Sequence, residues 1–278
     1  MARYSTREQA QAEASPRRAR RPIREYGILN PIFTLQPVFL RAAALPDKIQ
    51  YRPHAAAFEG DAMKWLLALA VTGAIFAQKP EVWKFDRLDK IGGHPTAAEG
   101  SPKVIQAPGG KAVEFDGVDD ALFIENHPLA GAATFTWEVI FKPYSGGKAE
   151  QRFFHLQENG SQTRYLFETR LVGGEWYLDA FANSPAGSKA LMDPAKKHPL
   201  DRWYHVAMTY DGRTFRYFVN GVPQGEAEVA LSPQGAGRTS VGVRINRVDY
   251  FKGAIREARF TRRALSVKEF LKPPVESN

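Results

Sequence analysis

The chain has 278 residues, a formal net charge of +8, no cysteine and a 44% hydrophobic composition. That length supports one sizeable core with segments to spare, and the lack of Cys excludes a disulfide framework, a thiolate zinc site, a thiol nucleophile and a lipobox-type anchor. Residues 1–62 hold 10 Lys/Arg against 6 Asp/Glu, whereas residues 78–278 hold 27 against 24, so the larger part of the chain has no electrostatic footprint for nucleic acid.

Residues 1–62 carry the basic run Pro16-Arg17-Arg18-Ala19-Arg20-Arg21-Pro22 in a stretch without sustained periodicity. A nucleic-acid or membrane-surface arm, a disordered tail, and an extension upstream of the natural start all fit this composition. It favours the tail over the arm. The following segment favours the upstream extension. Met63 to Ala77 has a methionine, one lysine, a short apolar run and small residues at its end, the order of a secretory signal peptide. Cleavage is expected after Ala74 or Ala77. The apolar run falls short of the roughly 20 residues of a membrane span. The competing reading is a buried helix or strand of the folded domain.

Residues 78–110 are expected as a first strand around Val82–Phe85 and then a Gly- and Pro-rich loop from Gly92 to Gly110. Residues 111–272 read as many short strands: Ala112–Phe115, Leu122–Glu125, Thr134–Lys142, Arg152–Gln157, Arg164–Leu171 and Glu175–Ala182. A long loop, Asn183–Pro199, precedes a hairpin at Trp203–Gly221. Glu226–Leu231, Thr239–Ile245 and Tyr250–Phe260 follow, then a short closing helix over Ser266–Leu271 with Ser266 as N-cap, and a tail at 273–278. With no interleaved helical periodicity and no internal repeat, the expectation is an all-β, two-sheet antiparallel sandwich, preceded by a disordered tail and a signal-peptide helix.

The hairpin organises the chain. Tyr204, Val206, Met208 and Tyr210 alternate onto one face, with His205, Ala207 and Thr209 on the other, and the two runs end in Asp211-Gly212 and Asn220-Gly221. Such dipeptides favour type I′ turns with positive φ, so a meander with one buried face is predicted. The wording Trp203-x-His205-Val206-Ala207-x-Thr209-Tyr210-Asp211-Gly212, the stretch Phe115-Asp116-Gly117-Val118-Asp119-Asp120, and Gly253-Ala254-Ile255-Arg256-Glu257-Ala258-Arg259-Phe260 with Arg263-Ala264-Leu265-Ser266 together resemble the laminin G-like, concanavalin A-like jelly-roll domain over roughly Lys111 to Leu271. The resemblance implies a jelly-roll sandwich that binds a glycan or an extracellular protein. It leaves open a polysaccharide hydrolase or lyase, or a structural subunit, on the same fold.

Glu114 and Asp116 share a strand face, as glycosidase carboxylates do. The Glu-x-Asp-x-x-Glu pattern of concanavalin A-like glycosidases is broken by Asp119, and the segment fits the laminin G-like strand end better. No catalytic residue is assigned. His205 is read as a structural hydrogen-bonding residue, and no Ser-His-Asp arrangement or phosphate loop is present. Trp176 and Tyr177 are adjacent, so they face opposite sides of a strand. One is a candidate platform for a sugar ring, the alternative being a second core contact. Asn159, Trp176, Tyr177 and Asn183 form the candidate ligand-binding set, with the loops Gln157–Thr163 and Asn183–Pro199 as contact regions. No cofactor is expected. The resemblance implies calcium at the sandwich rim through an Asp that is Arg256 here, so no metal is expected; Arg256 is predicted to pair instead with Glu114, Asp119 or Asp120. The partners expected are a glycan or extracellular protein and no nucleic acid, with membrane contact only during export and a secreted or periplasmic location.

Overall fold

Alternating apolar residues of the sequence become the facing layers of two antiparallel sheets. The structure, a computed structural model, describes residues 79–273. The extension over 1–62, the signal segment Met63–Ala77 and residues 274–278 lie outside the described residues. The strands are β1 (Glu81–Lys84), β2 (Lys90–Ile91), β3 (His94–Glu99), β4 (Lys103–Ala107), β5 (Gly110–Asp116), β6 (Ala121–Ile124), β7 (Phe135–Pro143), β8 (Glu150–Glu158), β9 (Arg164–Val172), β10 (Glu175–Ser184), β11 (Gly187–Met192), β12 (His198–Pro199), β13 (Tyr204–Tyr210), β14 (Thr214–Val219), β15 (Val222–Glu228), β16 (Gly237–Val241) and β17 (Lys252–Thr261).

Sheet I runs β15-β14-β13-β7-β17-β5-β4, with β1 on the free half of the β17 edge; sheet II runs β11-β10-β9-β8-β16-β6-β3-β2, with β12 on β10. The chain crosses repeatedly from one sheet to the other, as from β5 to β6 to β7 to β8, which gives the jelly-roll sandwich. The core lies between the sheets. Trp137 and Phe141 of sheet I meet Phe153, Phe154 and Phe167 of sheet II, with Phe141 and Phe153 stacked at 4.4 Å and Trp137 edge-on to Phe154 at 5.1 Å. Such pairs add to the burial that holds the sheets together.

Several expectations are corrected. The segment expected as a loop from Gly92 to Gly110 contains β3 and β4, which pair with β6 and β5. The long loop Asn183–Pro199 contains β11 and β12, both on the β10 edge. The strand expected at Glu226–Leu231 is β15, which starts at Val222 straight from the Asn220-Gly221 turn. The strand expected to reach Ile245 stops at Val241, because Gly242 has φ +84° and redirects the chain. Asn220 (φ 50°) and Gly221 (φ 75°) both have positive φ, as a type I′ turn requires. At the other turn only Gly212 (φ 99°) does; the Asp211 carboxylate shapes it by accepting the amides of Arg213 and Thr214.

The hairpin strand β13 is buried on both faces, not one. Leu265 and Phe270 of the C-terminal segment cover Ala207 and Phe218 on the outer side of sheet I. The closing helix shrinks to one 3₁₀ turn, Val267–Glu269, with the Ser266 amide on the Glu269 carboxylate at 2.9 Å. It goes no further because Arg259 takes the Glu269 carbonyl and Glu138 takes the Leu271 amide.

Candidate functional site

The outer face of sheet II is built by the alternation of β10. Trp176, Leu178, Ala180 and Ala182 point into the core, so Tyr177, Asp179, Phe181 and Asn183 point outward. Strand register continues these positions into rows. Tyr177 lies opposite Arg170 and then Glu150. Asp179 lies opposite Glu168 and then Arg152. Phe181 is followed by Leu166, His155, Ser240 and Phe123, and Asn183 by Arg164, Gln157 and Arg238.

Of the residues singled out in the sequence, Trp176 is fully buried, packed edge-on against Phe141 at 5.2 Å and Tyr204 at 5.0 Å, so its ring has no face for a sugar. Tyr177 is part-exposed on the outer face. Asn183 is on the same face, its Nδ2 donating to the Gln162 carbonyl at 2.8 Å. Asn159 is exposed in the turn between β8 and β9, close in sequence to Gln162. Phe181, His155, Arg164 and Arg238 were not singled out. The alternation around Trp176 marks Phe181 as outward; the others come together only through register.

The middle of this face is a packed ionic network. Arg170 reaches Glu150 at 2.5 Å, Glu168 at 3.0 Å and Asp179 at 2.8 Å, and Arg152 contacts Glu168, Glu150 and Asp249. Burial pushes the Glu168 carboxyl up to about 7, helped by the neighbouring Asp179 and opposed by the two arginines. Two carboxyls side by side with raised pKa values invite comparison with acid–base catalysts. Their side chains are only 7% and 3% exposed and lie under the guanidinium groups, which leaves no room for a reacting bond between them.

On the sandwich rim a cleft of about 580 Å³ is lined by Glu114, Asp116, Asp119, Asp120, Tyr144 and Lys252, among others. Carboxylate oxygens of Asp116, Asp119 and Asp120 lie within 4.8 Å of one another. Glu114 accepts the Tyr144 hydroxyl at 3.0 Å. Arg256 does not pair with Glu114, Asp119 or Asp120. It is the extra residue of a bulge between Ile255 and Glu257 in β17, and its Nη1 donates to the Pro108 carbonyl at 2.6 Å. A bulge re-aims the side chain it carries.

Residues 116–270 match the Laminin_G_3 family model, described as the concanavalin A-like lectin/glucanases superfamily. The chain belongs to this family. No curated protein matches the sequence. Among solved structures it is similar to domain 4 of AbnA, a GH43 extracellular arabinanase from Geobacillus stearothermophilus, in complex with arabinotriose: 17% identity, TM-score 0.52, 68% of this chain and 94% of that one. It is also similar to the binding domain of Paraclostridial Mosquitocidal Protein 1, with 11% identity, TM-score 0.53 and 68% of this chain covered. The botulinum neurotoxin serotype D binding domain matches at 10% identity, TM-score 0.51 and 68% of this chain. The chain spans about half the length of these two toxin domains. At such identities the likeness is one of fold.

Resemblance to laminin G-like domains implies a rim calcium, and the residues of this concanavalin A-like domain do not fit one. Asp116 Oδ1 accepts the amides of Val118, Asp119 and Asp120, at 2.7, 3.2 and 3.3 Å. Asp120 takes the Ser101 amide on Oδ1 and the Asp116 amide on Oδ2. Partial burial pushes the Asp116 carboxyl up, but these amides outweigh it and hold the group below the usual range. The carboxylates brace their own turn, and the ammonium-bearing Lys252 shares the cleft. Calcium needs six to eight oxygens free to converge on it.

Proposed function

We propose that the protein is an exported, non-catalytic binding module that recognises a carbohydrate on the outer face of sheet II. The observation that carries this reading is the outward row of β10. Tyr177 and Phe181 stand four residues apart on the same face, both part-exposed, and Asn183 and the turn residue Asn159 supply amides at the Phe181 end. Aromatic faces stack on the apolar faces of sugar rings, and nearby amides read the hydroxyls. An extracellular protein is the alternative partner. The similarity to an arabinanase domain in complex with arabinotriose and to toxin binding domains agrees with recognition as the task. Nucleic acid is not a partner in this reading, no cofactor is required, and the membrane matters only during export.

Export rests on Met63–Ala77 and places the mature domain outside the cytoplasm, secreted or periplasmic. The non-catalytic assignment rests on the carboxylates. Glu168 and Asp179 are covered by arginines, and Asp116 and Asp120 are bonded to amides of the rim. The test is a glycan array followed by titration of the best ligand against Tyr177→Ala and Phe181→Ala. Each variant is expected to weaken binding by about tenfold, the loss of one stacked aromatic contact. Ligand binding that ignores both substitutions would move the site elsewhere, and no glycan binding at all would overturn the carbohydrate reading.

A further inference from the structure

The arginines on the outer face of sheet II fall into two groups. Arg152 and Arg170 are surrounded by Glu150, Glu168, Asp179 and Asp249. One row further along, Arg164 of β9 and Arg238 of β16 flank Gln157 of β8. Arg244 joins them on the segment after Gly242, where the Ile245 amide donates to His155 Nδ1 at 3.1 Å. Among the described residues Arg164, Arg238 and Arg244 form no ion pair. Burial and the neighbouring Arg244 both lower the Arg164 pKa.

His155 sits among these cations with no solvent exposure. Burial, then Arg244 and Arg164, push its pKa down to about 3, so the ring is neutral. Because Nδ1 accepts an amide, the single ring proton is on Nε2. That N–H has no acceptor among the described residues, and neither has the buried Arg164 Nε–H. Buried donors without acceptors are unfavourable, because each has given up its hydrogen bonds to water with none in return. Arg164 lies over the Phe181 ring at 4.8 Å, with Nη1 on the Gln162 carbonyl. Its long side chain is held by no carboxylate. Cations converge here, donors are unsatisfied, and the negative charge that balances Arg152 and Arg170 is missing.

We propose that this end of the face is an anion subsite, in which Arg164, Arg238 and Arg244 receive a carboxylate or sulfate group carried on a saccharide chain. The inference rests on the carbohydrate reading and specifies its ligand class. Arg164, stacked over the Phe181 ring, joins the other guanidinium groups in taking the anionic substituent through charge-assisted hydrogen bonds.

The experiment titrates the full chain with dextran, dextran sulfate, polygalacturonate and a random-sequence oligodeoxynucleotide, using wild type, Arg164→Gln, Arg238→Gln and Arg244→Gln. Lys268→Gln, at an exposed position of the C-terminal turn on sheet I, is the charge control. One charged polysaccharide is expected to bind about tenfold tighter than dextran, to lose about that factor in each arginine variant, and to be unaffected by Lys268→Gln. Tighter polygalacturonate identifies a carboxylate, tighter dextran sulfate a sulfate. Arg238 is exposed, so its variant keeps the test valid if a change at Arg164 disturbs folding. Equal binding of charged and neutral polymers, arginine variants that behave as the lysine control, or an oligonucleotide with the same arginine dependence would each overturn the subsite. Dextran binding that needs Tyr177 and Phe181 but none of the arginines would overturn the subsite and leave the carbohydrate reading standing.

Discussion

His205 Nε2 lies 3.0 Å from Oε1 of Glu138, and neither side chain has any solvent exposure. The same carboxylate accepts Arg259 Nε at 2.5 Å and the Leu271 amide at 2.7 Å, while Arg259 Nη2 holds the Glu269 carbonyl at 2.6 Å. One buried acid on β7 therefore fastens the C-terminal segment over the outer face of sheet I. Glu138→Ala should destabilise the fold by about 3–5 kcal/mol, since it strands the buried His205 ring, a half-buried guanidinium and an amide. Urea unfolding measures it, and a loss below about 1 kcal/mol would mean the segment is held by Leu265 and Phe270 alone. Burial pushes the Glu138 carboxyl up, but the His205, Arg259 and Leu271 hydrogen bonds hold it below the usual range. Its contribution is accordingly present above the unfolded carboxyl value and lost as pH falls through the lowered one.

Glu168 has the opposite sign. Burial raises its folded pKa to about 7, above that of the unfolded chain, so between roughly pH 4.5 and 7 the folded state binds more protons. Stability should fall as pH rises through that window, and Glu168→Gln should flatten the fall. The measurement is the melting temperature of both proteins from pH 5 to pH 8. Parallel curves would show that Arg152 and Arg170 already hold the carboxylate ionised.

Gly212 and Gly221 both sit at positive φ, but their surroundings differ. A Cβ at Gly221 would meet Val267 Cγ1 at 3.0 Å, whereas at Gly212 the nearest atom is Thr134 Cγ2 at 3.8 Å. Each Gly→Val substitution should cost about 1–3 kcal/mol for the backbone strain alone. Gly221→Val should be the worse of the two, because the C-terminal turn must also shift. Denaturation midpoints of the two variants decide it; a near-neutral Gly221→Val would show that the turn relaxes into another type.

The strands legible in the sequence are those whose apolar alternation is a core layer. Phe135, Trp137, Val139 and Phe141, and Tyr204, Val206, Met208 and Tyr210, fall where alternation places them. The strands missed are edge or short strands with little to alternate. His94–Glu99 has no fully buried residue and forms because β6 offers it a ladder, and Gly187–Met192 forms in the same way on β10. Of the candidate site, Tyr177 and Asn183 follow from the same period-2 pattern that buries Trp176. The basic end does not. His155, Arg164, Arg238 and Arg244 are spread over almost ninety residues of sequence, and only strand register and the bend at Gly242 collect them.

The rim gives a prediction about metal. Three acids at a turn, in a family whose resemblance implies calcium, would suggest that the ion stabilises the fold. The hydrogen bonds argue against it. Asp116 Oδ1 already receives three amides and both Asp120 oxygens receive one, so these carboxylates are committed to bracing the turn, and Lys252 adds an ammonium to the same cleft. Only Asp119 and the Oδ2 of Asp116 are left without such bonds, well short of the six to eight oxygens of a calcium shell. The position from which the resemblance would bring a further acid is Arg256, turned by the β17 bulge toward the Pro108 carbonyl. Thermal unfolding with millimolar calcium and with chelator should therefore give the same midpoint. Asp116→Asn should lower it by the loss of charge-assisted acceptance, about 1–2 kcal/mol, with or without calcium. A midpoint several degrees higher in calcium, abolished in Asp116→Asn, would show that the turn opens to take the ion.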